Sequence, residues 1–216
     1  MTTLVKTFSF PTDAESFTFS ASQADGTGQY QSGDGSPASG CLESEVTGRN
    51  KTSINTWTWT GTFEDLDAAL IGQTITGISS ASANHACTTY GVVVINAWHG
   101  DTTNTLPGAY LVASTDTVAL SAAVSYSATA AWANSTGTDN LSLNAGSGWA
   151  STQAITIYLK SEVKFGNNGG NDVVIRQDEL KFTVTYESTA TPVDIDGLED
   201  ILLITEQSPL DVYNDY

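Results

Sequence analysis

Alternation with a period of two recurs in short runs throughout this chain, and that period commits a backbone to β-strands. The clearest runs are residues 4–10, 17–19, 57–59, 154–159 and 180–186. Between them stand clusters of Gly, Asn, Asp, Ser and Pro, at residues 25–28, 33–37, 146–148 and 166–171. These residue types supply the backbone conformations that reverse a chain. Strands broken by such signals roughly every ten residues mark a sandwich or jelly roll. Trp57 and Trp59, two apart, share one side of a strand and are expected in the core or an inter-sheet seam. Residues 92–95, Val-Val-Val-Ile, are apolar without alternation, as in a strand covered on both faces. The one helical stretch expected in the body is 63–71, ahead of Gly72.

Composition agrees with this pattern. Only 14% of the residues are charged, against a usual quarter, and Ser, Thr, Gly and Asn make up the difference. Threonine suits exposed strand positions, and Gly and Asn suit turns. Five Trp, eight Tyr and seven Phe supply large buried areas for one core, and 216 residues fit one large β domain. The expected fold is all-β: a single jelly-roll-like antiparallel β-sandwich over residues 1–188, followed by an extended C-terminal arm at 189–216.

The arm has a composition of its own. Residues 187–216 hold eight Asp or Glu, no Lys or Arg, and one compact aliphatic run, Ile201-Leu202-Leu203-Ile204. A tail that only solvates lacks aliphatic clusters, whereas an arm that docks on another surface needs one. Pro192 discourages continuation of the last strand. Asp194 or Asp196 caps a short helix carrying Ile195, Leu198, Ile201 and Leu202 on one face, or the same segment adds as a strand; periodicity leaves both open. The expected interface residues are Ile195, Leu198, Ile201, Leu202, Leu203, Ile204, Leu210 and Tyr213.

Charge excludes one class of partner. The net charge is −17 and the seven Lys and Arg are scattered, so a phosphate backbone finds no basic surface. Copies packed in an assembly repel unless specific contacts or divalent cations intervene. Calcium is the one cofactor with a rationale, since residues 25–28, 33–35 and 167–172 offer oxygens on loops. Ordinary turns explain the same residues, and no metal ligand is assigned. No run approaches the eighteen apolar residues of a membrane span, and the N-terminus lacks the apolar region of a leader. The expectation is synthesis in a cytoplasm, or a leader removed and a Met supplied. Cys41 and Cys87 have no metal-ligand spacing; they read first as small buried hydrophobes and second as a disulfide.

Catalysis has little to stand on. His85 and His99 have no nucleophile signature beside them, and His99 reads as a surface-loop residue. His85-Ala-Cys87 lacks the further ligands of a zinc site. The pairs Glu43 with Glu45 and Glu64 with Asp65 resemble many solvated carboxylate pairs. No enzymatic role is expected. Sugar binding competes more seriously, because exposed aromatics stack on saccharide rings, and Trp98, Trp132 and Trp149 fall in or near loops.

Three segments carry a resemblance: residues 8–20, opening Phe8-Ser9-Phe10-Pro11, residues 41–66 (including Leu42-Glu43-Ser44-Glu45 and Trp57-Thr58-Trp59-Thr60), and residues 172–186, ending Leu180-Lys181-Phe182-Thr183-Val184-Thr185-Tyr186. Together they resemble virion structural proteins of tailed bacteriophages and prophages. The resemblance implies a carbohydrate-module-like jelly roll with no catalytic residues. It does not include the arm. Two stations follow as expectations. The first is a capsid decoration (cement) protein, a homotrimer held on the major capsid protein by its arm. The alternative is a tail or fibre module that binds host-surface glycans.

Overall fold

The computed structural model describes residues 1–10, 12–23, 26–48, 52–89, 95–99, 107–137, 139–143, 147–165 and 171–187. The arm, with the interface residues expected from Ile195 to Tyr213, lies outside these, as do residues 92–94 of the apolar run.

Two long strands organise two antiparallel sheets. In the first sheet, β15 (Asn171–Glu187) runs beside β6 (Thr74–Thr89) for most of its length. Its other flank is shared by β4 (Gly40–Gly48), next to residues 171–177, and β1 (Thr2–Phe8), next to residues 180–186. Beyond β4 lies β3 (Gly26–Ser32). Along the far side of β6 lie β11 (Ala130–Thr136), β12 (Leu141–Ser142) and β13 (Trp149–Ala150).

The second sheet repeats the plan around β14 (Ala154–Phe165). One flank is β5 (Thr52–Thr62); the other is shared by β8 (Ala109–Ala113) and β7 (Ile95–His99). Outside these stand β2 (Thr18–Ala21), β9 (Asp116–Ser121) and β10 (Val124–Tyr126). The chain is thus an all-β antiparallel sandwich, as its alternation indicates.

Alternation decides which residues meet between the sheets. Trp57, Trp59, Ile155, Ile157 and Leu159 from the second sheet pack with Leu42, Leu180, Phe182 and Val184 from the first. Phe8 bridges them, 5.6 Å from Trp59 and 5.4 Å from Phe17. Each fully buried Ile, Leu or Phe contributes about 1.5–3 kcal/mol relative to exposure. A smaller cluster of Val46, Cys87, Tyr126, Val163, Val173 and Ile175 forms a second apolar region.

Between the two clusters runs a polar belt. Ser44 follows Leu42 and precedes Val46 on one face of β4, and Ser161 holds the same place between Leu159 and Val163 on β14. Their hydroxyls meet across the sandwich at 3.1 Å. Asn55 on β5 accepts from Ser53 Oγ at 2.8 Å.

A bulge reconciles the two halves of β15. Val173 and Ile175 face the core at odd positions, but Leu180, Phe182 and Val184 face it at even ones. The register with β6 shifts between Asp178 and Leu180, and Glu179 takes a φ of 39° there. One extra residue in the strand reverses the parity.

The stretch expected as helix forms α1 (Phe63–Leu66) and a 3-10 turn, Ala68–Leu70. Thr62 and Asp65 make a capping box, so an acid at N3 satisfies the N-cap amide in return. Residues 26–28, expected within a turn, instead begin β3. A Cβ on Gly28 would lie 2.3 Å from the Phe19 ring, so glycine serves here for close packing.

Candidate functional site: the outer face of the second sheet

On β5 and β14 the odd-numbered residues face the core, which leaves the even-numbered ones on the outer face. Registered pairs then set out rows across the sheet. One row runs Tyr110, Tyr158, Thr58, Thr18; a second places Lys160, Thr56 and Ser20 side by side; a third places Val112, Thr156 and Thr60. A fourth holds Ile54 opposite Glu162, whose other neighbour is Trp98 on β7. The Trp98 backbone is also paired with Ser125; its side chain lies outside the described ones.

Tyr110 and Tyr158 stack with ring centroids 4.8 Å apart and planes 23° from parallel. Tyr110 is buried and Tyr158 half-buried, so the first braces the second. A braced ring loses little freedom when a ligand stacks on it. Around it the strands present hydroxyls from Thr18, Ser20, Thr56, Thr58, Thr60 and Thr156, most of them exposed or half-buried. A ring flanked by donor–acceptor hydroxyls on rigid strands suits a ligand with apolar faces and many hydroxyls.

The other two tryptophans expected to contact sugars are committed elsewhere. Trp149 is part of the core, stacked on Phe63 at 5.6 Å and 18°. Its short strand pairs with Ile75 and turns the ring inward, so that ring offers no open face. Trp132 lies on β11 in the first sheet, half-buried, and its Nε1 donates to the Asp34 carbonyl at 3.2 Å. Trp98 and His99, expected in a loop, belong to a paired strand.

Trp132 is one of three clamps on the segment 33–39. Asn84 Nδ2 donates to the Ser36 carbonyl at 3.1 Å, and Ala38 N–H donates to Asp178 Oδ2 at 2.9 Å. Asp178 also accepts from Glu179 N–H at 2.8 Å. Burial still holds its carboxyl above the ordinary range, against these donors.

Glu43, Glu64 and Asp65 serve the structure. Glu43 is buried on the outer side of β4, where Arg176 Nε donates to Oε2 at 2.8 Å. Gln29 and Gln31 donate to its Oε1 at 3.0 and 3.3 Å. Arg176 also reaches Thr88 Oγ1 at 3.3 Å and Asp34 Oδ2 at 3.4 Å. Burial opposes the guanidinium charge, but the Glu43 pairing outweighs it and raises the Arg176 pKa. Burial, then the nearby Asp172 and Glu43, pushes the Glu45 carboxyl up. Glu64 accepts from Ser151 Oγ at 3.1 Å, and Asp65 caps α1.

His85 is inward-facing and hydrogen-bonded through Nδ1 to the Tyr126 hydroxyl, which joins the two sheets. Burial brings its pKa down to about 4. Cys41 and Cys87 are free and buried, each thiol pushed up to about 12 chiefly by desolvation. Cys87 faces the core, and Cys41, next to the inward Leu42, faces the other side. Their strands flank β15, which puts them two spacings, roughly 9.6 Å, apart laterally. That exceeds the reach of a disulfide, so the second reading of the cysteines fails.

Among the described residues, no group of three or more His, Cys, Asp or Glu is placed to hold a metal ion. Asp34, one of the oxygens considered for calcium, is engaged with Arg176. Asp25 and residues 166–170 lie outside the described ones. Tyr158, Tyr110 and Arg176 were missed in sequence because each sits inside an unremarkable alternating strand; their partners become visible only with register.

No family model matches the sequence, and no curated protein sequence matches it. Solved structures align with most of its length. A carbohydrate-binding module of the β-sandwich superfamily aligns at a TM-score of 0.39 and 12% identity, over 84% of this chain and 61% of that one. The active domain of tailspike protein 4 of bacteriophage CBA120 aligns at 0.38 and 9%, over 80% of this chain and 20% of that one. The CBM22-1 xylan-binding domain of Paenibacillus barcinonensis Xyn10C aligns at 0.43 and 9%, over 86% and 95%. This chain therefore spans about three fifths of the first and one fifth of the tailspike.

Proposed function

We propose that this chain is a non-catalytic glycan-binding β-sandwich, carried in a virion as a tail or fibre module. The observation that carries this reading is the outer face of the second sheet, where Tyr158 is braced by Tyr110 and flanked by threonine hydroxyls on registered strands. Such a face matches a saccharide in both of its chemistries: stacking for the ring faces, hydrogen bonds for the hydroxyls. Of the acids and histidines weighed as catalysts, Glu43 is held in an ion pair, Asp65 in a helix cap and His85 in an inter-sheet hydrogen bond. The virion setting comes from the resemblance of residues 8–20, 41–66 and 172–186.

The test is a glycan array carrying bacterial surface polysaccharides together with xylan, probed with the full chain. Saturable binding to at least one polysaccharide is expected. A blank array with folded protein refutes the reading.

The capsid-decoration reading, with a homotrimer on the major capsid protein, is supported by the sequence of the arm alone. Copies per particle discriminate between the two stations: decorations number in the hundreds, tail and fibre modules few.

A further inference from the structure

We propose that the open edge of β1 takes a further strand from this chain's own C-terminal arm, residues 193–198, laid parallel to residues 2–8. β1 pairs with β15 along one side, from Thr2 opposite Tyr186 to Phe8 opposite Leu180. Among the described residues, no strand pairs with its other side. A seven-residue edge is a template for another strand, and native folds cover such edges.

Three observations single out the arm as the occupant. The first is where it leaves the sheet. β15 ends at Glu187, and Tyr186 lies opposite Thr2, so residue 188 starts beside the beginning of β1. A strand beyond β1 lies two spacings from β15, roughly 9.6 Å. The five residues 188–192 reach up to roughly 17 Å when extended, enough to pass the end of β1. From there the chain runs in the direction of β1, which makes the pairing parallel.

The second is the pattern on the two faces of β1. Val5 lies opposite Thr183 on the outer face and is 54% exposed. Lys6 lies opposite Phe182 on the inner face, half-buried, with its ammonium 4.7 Å from the Phe8 ring centroid. The arm reads Val193-Asp194-Ile195-Asp196 directly after Pro192, apolar and acidic by turns. A strand that sets Val193 and Ile195 on the Val5 face carries Asp194 and Asp196 on the Lys6 face. Aliphatic then meets aliphatic on one face, and carboxylate meets ammonium on the other.

The third is charge. Lys6 has no carboxylate partner among the described residues. Residues 187–216 hold eight Asp or Glu and no Lys or Arg. A second copy's β1 could pair with the same edge, but it would bring together two chains of net charge −17. The tethered arm needs no such encounter, since its linker keeps it at high effective concentration.

The test is hydrogen exchange followed by mass spectrometry on the full chain. In wild type, amides within residues 193–198 and in β1 should be slowed, equally over an about hundredfold range of protein concentration. Lys6→Glu turns attraction into repulsion and should speed exchange in residues 193–198 by about fivefold or more. The triple variant Lys6→Glu, Asp194→Lys, Asp196→Lys restores opposite charges and should recover the protection, which a damaged β1 would not allow. Unprotected exchange of residues 193–198 in wild type overturns the proposal. So does protection unmoved by Lys6→Glu, or a loss that the triple variant does not recover. Protection that grows with concentration overturns it too, by giving the edge to the arm of a second copy.

Discussion

Replacing Arg176 by Met should destabilise the fold by about 2–4 kcal/mol. The loss of one partner from a buried ion pair costs roughly 3–5 kcal/mol, because the other charge stays desolvated. Here Glu43 is 4% exposed, but the Arg176 side chain keeps 19%, so water recovers part of the penalty and the lower part of that range applies. Gln29 and Gln31 still donate to Oε1 in the variant, while Oε2 loses its 2.8 Å donor. The double variant Arg176→Met, Glu43→Leu removes both charges from one place and should lie within about 1 kcal/mol of wild type. The coupling between the sites is then about 2 kcal/mol or more. Urea unfolding followed by tryptophan fluorescence and far-ultraviolet circular dichroism measures all four corners of the cycle. The midpoint should move while the slope stays constant. A single variant within 0.5 kcal/mol of wild type, or a double variant as unstable as the sum of the singles, refutes the reasoning.

Acid should weaken the fold through His85. Its folded pKa of about 4 lies below the unfolded value of 6.5, so the unfolded chain takes up a proton that the folded one refuses. Stability is full above pH 6.5 and falls as pH drops toward 4, by on the order of 3 kcal/mol, and His85→Gln should flatten that part of a pH-resolved urea series. The two thiols should resist a chromogenic disulfide reagent in the native state and both react in denaturant, with no change in melting temperature on adding reductant; a reductant-sensitive melt contradicts the geometry. Trp149→Ala should cost about 3–5 kcal/mol, as expected of a core aromatic, while leaving polysaccharide affinity unchanged under folding conditions. Affinity lost at full stability would return Trp149 to the binding face.

Much of the architecture is legible from alternation alone, because a period of two fixes which face of each strand is buried. Trp57 and Trp59 enter the core together for that reason, and so do Leu180, Phe182 and Val184. The bulge at Glu179 was not legible: it follows from a parity conflict between residues 173–175 and 180–184 that only the pairing with β6 displays. Residues 26–28 read as a turn because glycine has two uses, and their role here depends on where Phe19 sits, some nine residues earlier in sequence. The sites are less legible still. Loop position suggested Trp132 and Trp149, but one donates to a neighbouring loop and the other stacks on Phe63. Tyr158 gains its significance from Tyr110 across a strand pair, nearly fifty residues away, and no local pattern encodes that meeting.

The central claim, that the outer face of the second sheet binds glycan through the braced ring of Tyr158, is tested most directly by calorimetric titration of one polysaccharide into wild type and Tyr158→Thr. Threonine matches the residues around it and suits an exposed strand position, so the fold should persist. The expected result is saturable binding by wild type, weakened about tenfold or more in the variant, with unfolding midpoints close together. Equal affinity in the two proteins, with both folded, would contradict the claim.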